Sequence, residues 1–359
     1  MLMLSGCGSN IAAKKDGSLY VMTSQAKYDS NGLCYSRIDH TYDSSAQLLK
    51  SEYRQPRFEK EYNAELDTYT YTYNQNSPLE LNGTVTYSYD DAGNYLSTQD
   101  AKMLSRAGSY TYAWTYQNGL PESYTPASAV GSFDPVFLSN DGRNITARST
   151  QSGDWQLWDY DTLNRLVRER SRDKTGVFWD IQYKYDGTQL TEVLWRQGNS
   201  TPTDLDRVDW DAIVRESYRW TLEYDRSGNL VKLERYNTQN ELTQVRKFTY
   251  NSKGFPTGLV CTNYLGADKT VSRITYDCDS HGNITKVTYP DGTWEEYTYQ
   301  AMNVTPKQEQ LYRQRLGISF ATHKLGSPLF GIHWQLPYYS LIPNPWFCLP
   351  HLQMLMHDN

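Results

Sequence analysis

A short phrase recurs along this chain and limits its fold more than any other feature. It consists of an aromatic residue, a variable residue, Tyr, then Asp or Asn, a few small polar residues and Gly. The clearest copies lie at residues 87–94, 222–230, 248–255 and 274–284, and weaker copies fill the intervals between residues 20 and 304. One phrase repeated over most of a chain indicates a single structural unit that is used many times.

Each part of the phrase has a physical role in a β-hairpin. The two-residue period of a strand places paired rings, such as Phe248 and Tyr250, on one face. An Asp at the first turn position accepts a hydrogen bond from the backbone two residues on, and a Gly three positions later accepts positive φ. This combination predicts a type I turn closed by a bulge. We assign these structural turn roles to Asp90 and Gly93, Asp225 and Gly228, and Asp277 and Gly282.

The composition agrees with a series of such hairpins. The 31 Tyr outnumber the 9 Phe and the 10 Trp, while the mean hydropathy is −0.73. Tyrosine can bury its ring and keep its hydroxyl in water, which suits a sheet with one packed face and one wet face. Because a single hairpin cannot bury its rings alone, we predict an all-β fold. It is an antiparallel hairpin-repeat array over residues 20–304 that forms a curved or barrel-like continuous sheet.

The phrase resembles the unit of the RHS or YD-repeat family of bacterial cell-surface and secreted proteins. The resemblance rests on the Tyr-Asp and Gly-Asn pairs within residues 89–94, 224–229 and 276–283. It implies an all-β fold whose long curved sheets can enclose cargo, and a role in binding ligands or carbohydrates. The large toxin members carry an Asp-Pro-x-Gly-Leu segment, whereas Asp134-Pro135 continues here as Val-Phe-Leu. The resemblance therefore does not extend to a toxin-enclosing shell.

Charge, cysteine spacing and motifs argue against several functions. The 35 basic and 41 acidic residues give a net charge of −6 without a basic block, so nucleic acid is not an expected partner. The five Cys lie far apart, and we predict neither a metal site nor another cofactor. No Gly-x-Ser-x-Gly, phosphate-loop or paired-histidine motif occurs, so we expect no enzymatic activity. We also expect a monomer.

The N-terminal segment carries a candidate membrane anchor. Leu4-Ser5-Gly6-Cys7 resembles the lipobox of bacterial lipoproteins, in which the cysteine is lipidated. The residues before it are too few and too neutral for a signal peptide, which indicates a true start codon upstream. We predict that residues 1–19 are a leader remnant and linker and that Cys7 is the lipidation site. Since the sequence has no apolar run long enough for a spanning helix, we expect membrane contact only through this lipid anchor.

This prediction places the protein in the cell envelope, at the outer membrane or the cell surface. The alternative is that Cys7 is an ordinary cysteine.

Residues 196–216 lack the phrase, and we interpret them as an insertion in the array. Thr203 or Asp204 could cap a short helix that carries Leu205, Val208 and Ala212 on one face. The segment also contains Asp204, Asp206, Asp209 and Asp211. These carboxylates could bind a cation, or the segment is a solvated acidic loop.

The C-terminal segment, residues 305–359, departs from the repeat in composition. It is rich in His and Pro, and Asp358 is the one acid after residue 317. Two interpretations stay open. The segment is either a cap over a sheet edge, which an open repeat array needs, or a frameshift product that is poorly ordered.

The function that these features favour is ligand binding without catalysis. Flat aromatic rings beside Asp and Asn suit the faces and hydroxyls of sugars, so a glycan is the leading candidate partner. The candidate ligand-binding residues are Trp155, Trp158, Trp179, Trp195 and Trp220. Plain sheet packing is the alternative for each of these rings. A structural or adhesive role, with a surface protein as partner, is the alternative function.

Overall fold

The computed structural model describes residues 18–63, 68–74, 77–93, 95–100, 110–117, 120–128, 131–132, 135–141, 145–163, 165–265 and 268–309. The predicted lipidation site Cys7 and nearly all of the C-terminal segment lie outside these ranges. Within them, no helix is long and apolar enough to cross a membrane.

The first half of the chain contributes twelve of the strands. They are β1 (Leu19–Tyr28), β2 (Cys34–Tyr42), β3 (Leu48–Gln55), β4 (Phe58–Asn63), β5 (Thr68–Tyr73), β6 (Glu80–Tyr89), β7 (Tyr95–Asp100), β8 (Tyr110–Gln117), β9 (Leu120–Ser128), β10 (Gly131–Ser132), β11 (Val136–Asn140) and β12 (Ile145–Thr150).

The second half adds the longer hairpins and one short helix. The elements are β13 (Trp155–Tyr160), β14 (Leu166–Arg172), β15 (Phe178–Asp186), β16 (Gln189–Gly198), α1 (Trp210–Ile213), β17 (Val214–Tyr224), β18 (Leu230–Tyr236), β19 (Leu242–Tyr250), β20 (Pro256–Leu265), β21 (Asp268–Cys278), β22 (Ile284–Thr288) and β23 (Trp294–Met302).

Antiparallel pairing joins these strands into one sheet that closes on itself. Strands β4 and β5 pair with each other, and the other 21 strands belong to a single sheet. Most neighbours in sequence pair in turn, except that β3 pairs with β6 and that β10 and β11 both pair with β9. Strand β1 pairs with β2 on one side and with β23 on the other. The predicted all-β antiparallel, continuous and curved sheet is therefore confirmed. Closure matters physically because it leaves β1 and β23 without an open edge.

A buried polar network fastens the strands that close the sheet. The carboxylate of Glu295 in β23 is buried and accepts hydrogen bonds from Gln25 Nε2 at 2.7 Å and from the Tyr297 hydroxyl at 2.5 Å. Lys27 Nζ lies 3.3 Å from the same carboxylate. A buried charge that is paired and hydrogen-bonded avoids most of its desolvation penalty. This network joins two strands from opposite ends of the sequence.

The repeat turns have a common hydrogen-bonding pattern. In the hairpin between β17 and β18, Asp225 Oδ1 accepts from the backbone N–H of Ser227 and of Asn229, at 2.8 and 2.9 Å. Gly228 has a φ of +83° and donates its N–H to the Asp225 carbonyl at 3.0 Å. Only glycine takes this backbone conformation without a steric cost. The Asp225 side chain thus replaces water on two turn amides.

One predicted turn residue is wrong, because Asp277 lies in strand β21 and not in the turn. The turn carboxylate is Asp279, whose Oδ1 accepts from the N–H of His281 and of Asn283 at 2.8 and 3.0 Å. Gly282 donates to the Asp279 carbonyl at 3.2 Å. The spacing explains the error, since the acid and the glycine of these turns are three positions apart, and only Asp279 has that distance to Gly282.

Several tyrosines of the repeat, most of them directly before a turn, link their hairpin to a neighbouring one. Their hydroxyls donate to the backbone carbonyl of a residue at or near the start of a strand there. The donor and acceptor pairs are Tyr89 and Leu48, Tyr185 and Leu166, Tyr224 and Leu190, Tyr250 and Leu230, and Tyr299 and Ile284, at 2.8 to 3.0 Å. Cys278 occupies this position before the Asp279 turn, and its thiol donates to the Pro256 carbonyl. A phenylalanine could not make this link.

The sheet has one apolar face and one solvent face. The apolar face carries the largest cluster of buried side chains, which extends from β15 to β23 and includes Leu233, Phe248 and Leu259. Tyr250 packs against the same cluster as Phe248, as the pairing of rings at i and i+2 predicts. The opposite face of these strands exposes residues such as Lys247 and Arg273.

The insertion is shorter than predicted and folds back on the solvent face. Residues 196–198 and 214–216 belong to β16 and β17, and the helix is Trp210–Ile213, capped by Asp209, instead of a helix capped by Thr203 or Asp204. The predicted apolar helix face does not form, since the observed helix has no buried residue and begins five residues after Leu205. The Leu205 carbonyl accepts from Arg168 Nη2 at 3.2 Å.

The insertion covers a cluster of charged side chains on β14 to β16. Asp180 is fully buried there and pairs with Arg168 at 2.7 Å and with Arg196 at 3.0 Å. The Arg196 guanidinium lies 4.3 Å from the centroid of the Trp210 ring. Asp206 of the insertion pairs with Arg170 at 3.0 Å. The acidic segment therefore acts as a partner for arginines of the sheet.

Candidate functional site

Four side chains form a line across the apolar face, and we name them the Trp220 row. They are Trp220 in β17, Arg235 in β18, Gln244 in β19 and Asn263 in β20. Each is the direct cross-strand partner of the next. Directly opposed residues of antiparallel strands point to the same side of the sheet. The row crosses the middle of β17 and then runs near the ends of β18, β19 and β20 that are remote from the Asp225 turn.

An aromatic surface borders the row. Tyr218 precedes Trp220 by two residues, and the two ring centroids lie 6.1 Å apart. The Arg235 guanidinium lies 4.2 Å from the centroid of the Tyr218 ring and 5.9 Å from that of Trp220. Tyr218 in turn lies 5.3 Å from Trp195. A guanidinium on an aromatic face is stabilised by the quadrupole of the ring, so this arrangement fixes the position of Arg235.

Two polar atoms of the row are buried without a hydrogen-bond partner in the described part of the chain. They are Arg235 Nε and Gln244 Oε1. Gln244 is 7% exposed, and its other amide atom, Nε2, donates to Asn263 Oδ1 at 2.6 Å. Leaving a buried polar atom unpaired costs about 1 to 3 kcal/mol. A ligand that pairs with these two atoms would recover that free energy, which requires the side chains that cover the atoms to move aside.

A buried carboxyl group lies on the same face, in the neighbouring strands β13 to β16. Glu169 is opposite Trp158 on one side and Ile181 on the other, and Ile181 is opposite Trp195. Gln156 Nε2 donates to Glu169 Oε1 at 2.5 Å. Burial raises the pKa of Glu169 to about 8, against a smaller lowering by its hydrogen bonds. Glu169 is 1% exposed, so its proton is out of reach of a bound substrate.

The structure separates the five predicted ligand-binding tryptophans. Trp158, Trp179 and Trp195 are 4%, 6% and 7% exposed, which leaves no ring face for a ligand. Trp155 is half-buried but lies on the solvent face, where its ring centroid is 6.2 Å from that of Phe178. Trp220 alone among the five is both half-buried and on the apolar face.

Sequence reasoning missed Tyr218, Arg235 and Gln244 as site residues. Tyr218 and Trp220 do show the i and i+2 aromatic pattern, and that signal could have been used. Arg235, Gln244 and Asn263 carry no such signal, because only the strand register brings them into line with Trp220.

The described residues offer no site for a metal ion. Among them, no group of three or more His, Cys, Asp or Glu side chains lies close enough to hold one. The four aspartates of the insertion form no such group either, and the carboxylate of Asp206 is ion-paired with Arg170.

Comparisons with known proteins show no family for this chain. No protein-family model matches it, and no curated protein sequence matches it. Among solved structures it is similar to the complex TcdB2-TccC3-Cdc42, with 12% identity over 79% of this chain, and it spans 18% of that chain's length. The TM-score is 0.27.

The chain is also similar to two porin-like proteins. The one from Bacteroides uniformis has 8% identity and a TM-score of 0.35, and the match covers 77% of this chain and 96% of that chain. The one from Bacteroides vulgatus has 12% identity and a TM-score of 0.31, with 57% and 97% covered. TM-scores this low carry no argument about function.

Proposed function

We propose that this chain is a non-enzymatic β-repeat protein that binds a carbohydrate at the Trp220 row. One observation carries the proposal. A half-buried Trp220 ring lies in the same cross-strand row as two buried polar atoms that have no hydrogen-bond partner among the described residues, Arg235 Nε and Gln244 Oε1. A sugar ring presents C–H groups that pack on an aromatic face and hydroxyl groups around its edge. One hydroxyl can accept from Arg235 Nε while another donates to Gln244 Oε1.

The spacing of the strands favours an oligosaccharide over a single sugar. Adjacent strands lie about 4.8 Å apart, which is comparable to the length that one pyranose unit adds to a chain. A chain that runs across β17, β18, β19 and β20 would therefore place successive units beside Trp220, Arg235, Gln244 and Asn263. This geometry also explains how one aromatic ring can suffice, since the remaining contacts are hydrogen bonds.

Binding of glycans to the purified full-length chain tests the proposal. We expect a glycan array to show binding, and calorimetry on the best glycan to show that Trp220→Ala and Gln244→Leu weaken it about ten-fold or more. Trp155→Ala is the matched control, because it removes an equally half-buried ring from the solvent face. If no glycan binds, or if Trp155→Ala weakens binding as much as Trp220→Ala, the proposal is wrong. A structural or adhesive role then takes its place.

The proposal includes membership of the RHS or YD-repeat family and a lipid anchor at Cys7. The repeated turns support the first, and the sequence Leu4-Ser5-Gly6-Cys7 supports the second. In the native host, labelling with a fatty-acid analogue should mark the protein and place it in the membrane fraction. Cys7→Ser should abolish both, whereas the control Cys34→Ser should not. Labelling that survives Cys7→Ser would refute the anchor without affecting the glycan site.

A further inference from the structure

We infer that the carbohydrate is acidic and that Arg235 binds the carboxylate of a uronic acid unit. The inference rests on the proposed function of the Trp220 row and specifies its ligand. Its basis is the difference in ion pairing between the half-buried Arg235 and three other buried or half-buried arginines of the sheet. Arg168 and Arg196 both pair with Asp180, at 2.7 and 3.0 Å. Arg170 pairs with Asp159 at 2.7 Å.

Arg235 has no such partner among the described residues. Its side-chain contacts there are the rings of Tyr218 and Trp220, whereas Arg168, Arg170 and Arg196 each contact a carboxylate. The adjacent carboxylate, on Glu234, is on the opposite side of the strand, where it pairs with Lys232 at 2.8 Å. A half-buried guanidinium loses part of its hydration, and aromatic contact replaces only a fraction of it. An anion from the ligand would supply the missing partner.

The shape of the guanidinium favours a carboxylate. The Tyr218 ring lies over one face of the guanidinium, so N–H groups at its edge can still donate in the plane of the group. Two parallel N–H groups match the two oxygens of a carboxylate, and such charge-assisted pairs are roughly twice as strong as neutral ones. With the carboxylate on Arg235, the sugar ring lies beside Trp220 and the next unit reaches Gln244. A uronic acid carries its carboxylate on the ring carbon where neutral hexoses carry a hydroxymethyl group. Its ring can therefore lie on the Trp220 row in the same position as the ring of a neutral hexose.

Matched acidic and neutral glycans test the inference. The probes are oligomers of galacturonate, glucuronate and mannuronate and the methyl ester of each, which has the same rings without the charge. We expect the unmodified chain to bind at least one acid about ten-fold or more tightly than its ester, because a charge-assisted pair is stronger than a neutral hydrogen bond. Arg235→Gln should remove this preference and leave the affinity for the ester within about three-fold. Arg273→Gln, an exposed arginine on the solvent face of β21, is the control and should keep the preference.

Two further measurements separate the outcomes. Added salt should weaken binding of the acid but not of the ester, and this holds even if Arg235→Gln fails to fold. Arg235→Lys keeps the charge and the aromatic contact but not the two parallel donors, so we expect it to lose part of the preference. If every acid and its ester bind equally, the inference is overturned while carbohydrate binding stands. If neither acids, esters nor neutral glycans bind, carbohydrate binding itself is overturned.

Discussion

The two ends of strands β17 to β20 differ in how their polar groups are paired. At the turn end, the Tyr224 and Tyr250 hydroxyls donate to backbone carbonyls at 2.8 Å, and Asp225 accepts two turn amides. At the other end, Arg235 Nε and Gln244 Oε1 are buried without a partner in the described residues. Paired polar groups stabilise a fold, whereas unpaired ones reduce its stability.

This difference indicates a division of roles along each strand. The turn end is determined by backbone geometry, and its residues therefore recur from hairpin to hairpin. The row end is not constrained by the repeat, so Trp220, Arg235, Gln244 and Asn263 are four different residues in equivalent cross-strand positions. Unpaired polar groups beside an aromatic ring are candidates for binding a ligand. Mutations should therefore affect stability at one end and binding at the other.

The largest expected effect comes from the core between the two ends. Leu233 is 0% exposed, and Leu233→Ala should lower the free energy of unfolding by about 3 kcal/mol because it leaves a cavity. Urea denaturation measures this loss, and glycan binding by the remaining folded protein should not change. Trp220→Ala should lower the free energy of unfolding less than Leu233→Ala does. It should weaken glycan binding more than Leu233→Ala does. The reverse order would mean that Trp220 is a packing residue and not a binding residue.

A pH-dependent effect is expected at Glu169, the buried carboxyl group. An unfolded Glu loses its proton near its ordinary pKa of 4.5, whereas the folded protein keeps it up to about pH 8. Between these values the unfolded state is favoured more with each unit of pH, so stability falls as the pH rises through this window and then levels off. Glu169→Gln removes the titrating group and should therefore raise the free energy of unfolding at pH 9.

The same substitution should change little near pH 4, where both states of the unmodified protein are protonated. Thermal unfolding over this pH range measures the difference. Glu192→Gln, on the half-exposed Glu192 that pairs with Lys184, is the control and should not reproduce this rise. A gain from Glu169→Gln that is equal at all pH values would contradict the raised pKa.

A smaller effect separates Asp279, the acid of the turn before Gly282, from Asp277 in the preceding strand. Asp279→Ala removes the acceptor for two backbone amides and should cost about 1.5 kcal/mol, as Asp225→Ala should in its own turn. Asp277→Ala should cost less than about 0.5 kcal/mol, because Asp277 is exposed within β21 and surface substitutions have small effects. Chemical denaturation of the three variants provides the comparison. A larger loss for Asp277→Ala would restore the turn as it was predicted from the sequence.

The smallest expected effect is the loss of one tyrosine hydroxyl. Tyr250→Phe removes the hydrogen bond to the Leu230 carbonyl and should cost about 1 kcal/mol, with no change in glycan affinity. Tyr264→Phe is the matched control, since the Tyr264 hydroxyl has no hydrogen-bond partner among the described residues. Equal losses for the two variants would show that the hydroxyl link does not contribute to stability.

The sequence predicted the features that depend on neighbouring residues. The strand period and the spacing from acid to glycine are local, so the hairpins and turns such as Asp225 to Gly228 could be derived from the phrase. The error at Asp277 came from not applying the three-residue spacing strictly. The short helix Trp210–Ile213 was misplaced because its position depends on the arginines beneath the insertion and not on its own periodicity.

By itself the sequence determined the element type, the turn chemistry and the alternation of the two faces, because steric and hydrogen-bonding preferences act over a few residues. Only the tertiary structure decided that β1 closes the sheet against β23 and that Trp220, Arg235, Gln244 and Asn263 share one row. Both depend on the register between strands. Register reflects the combined packing of many side chains distant in sequence, which no local pattern records.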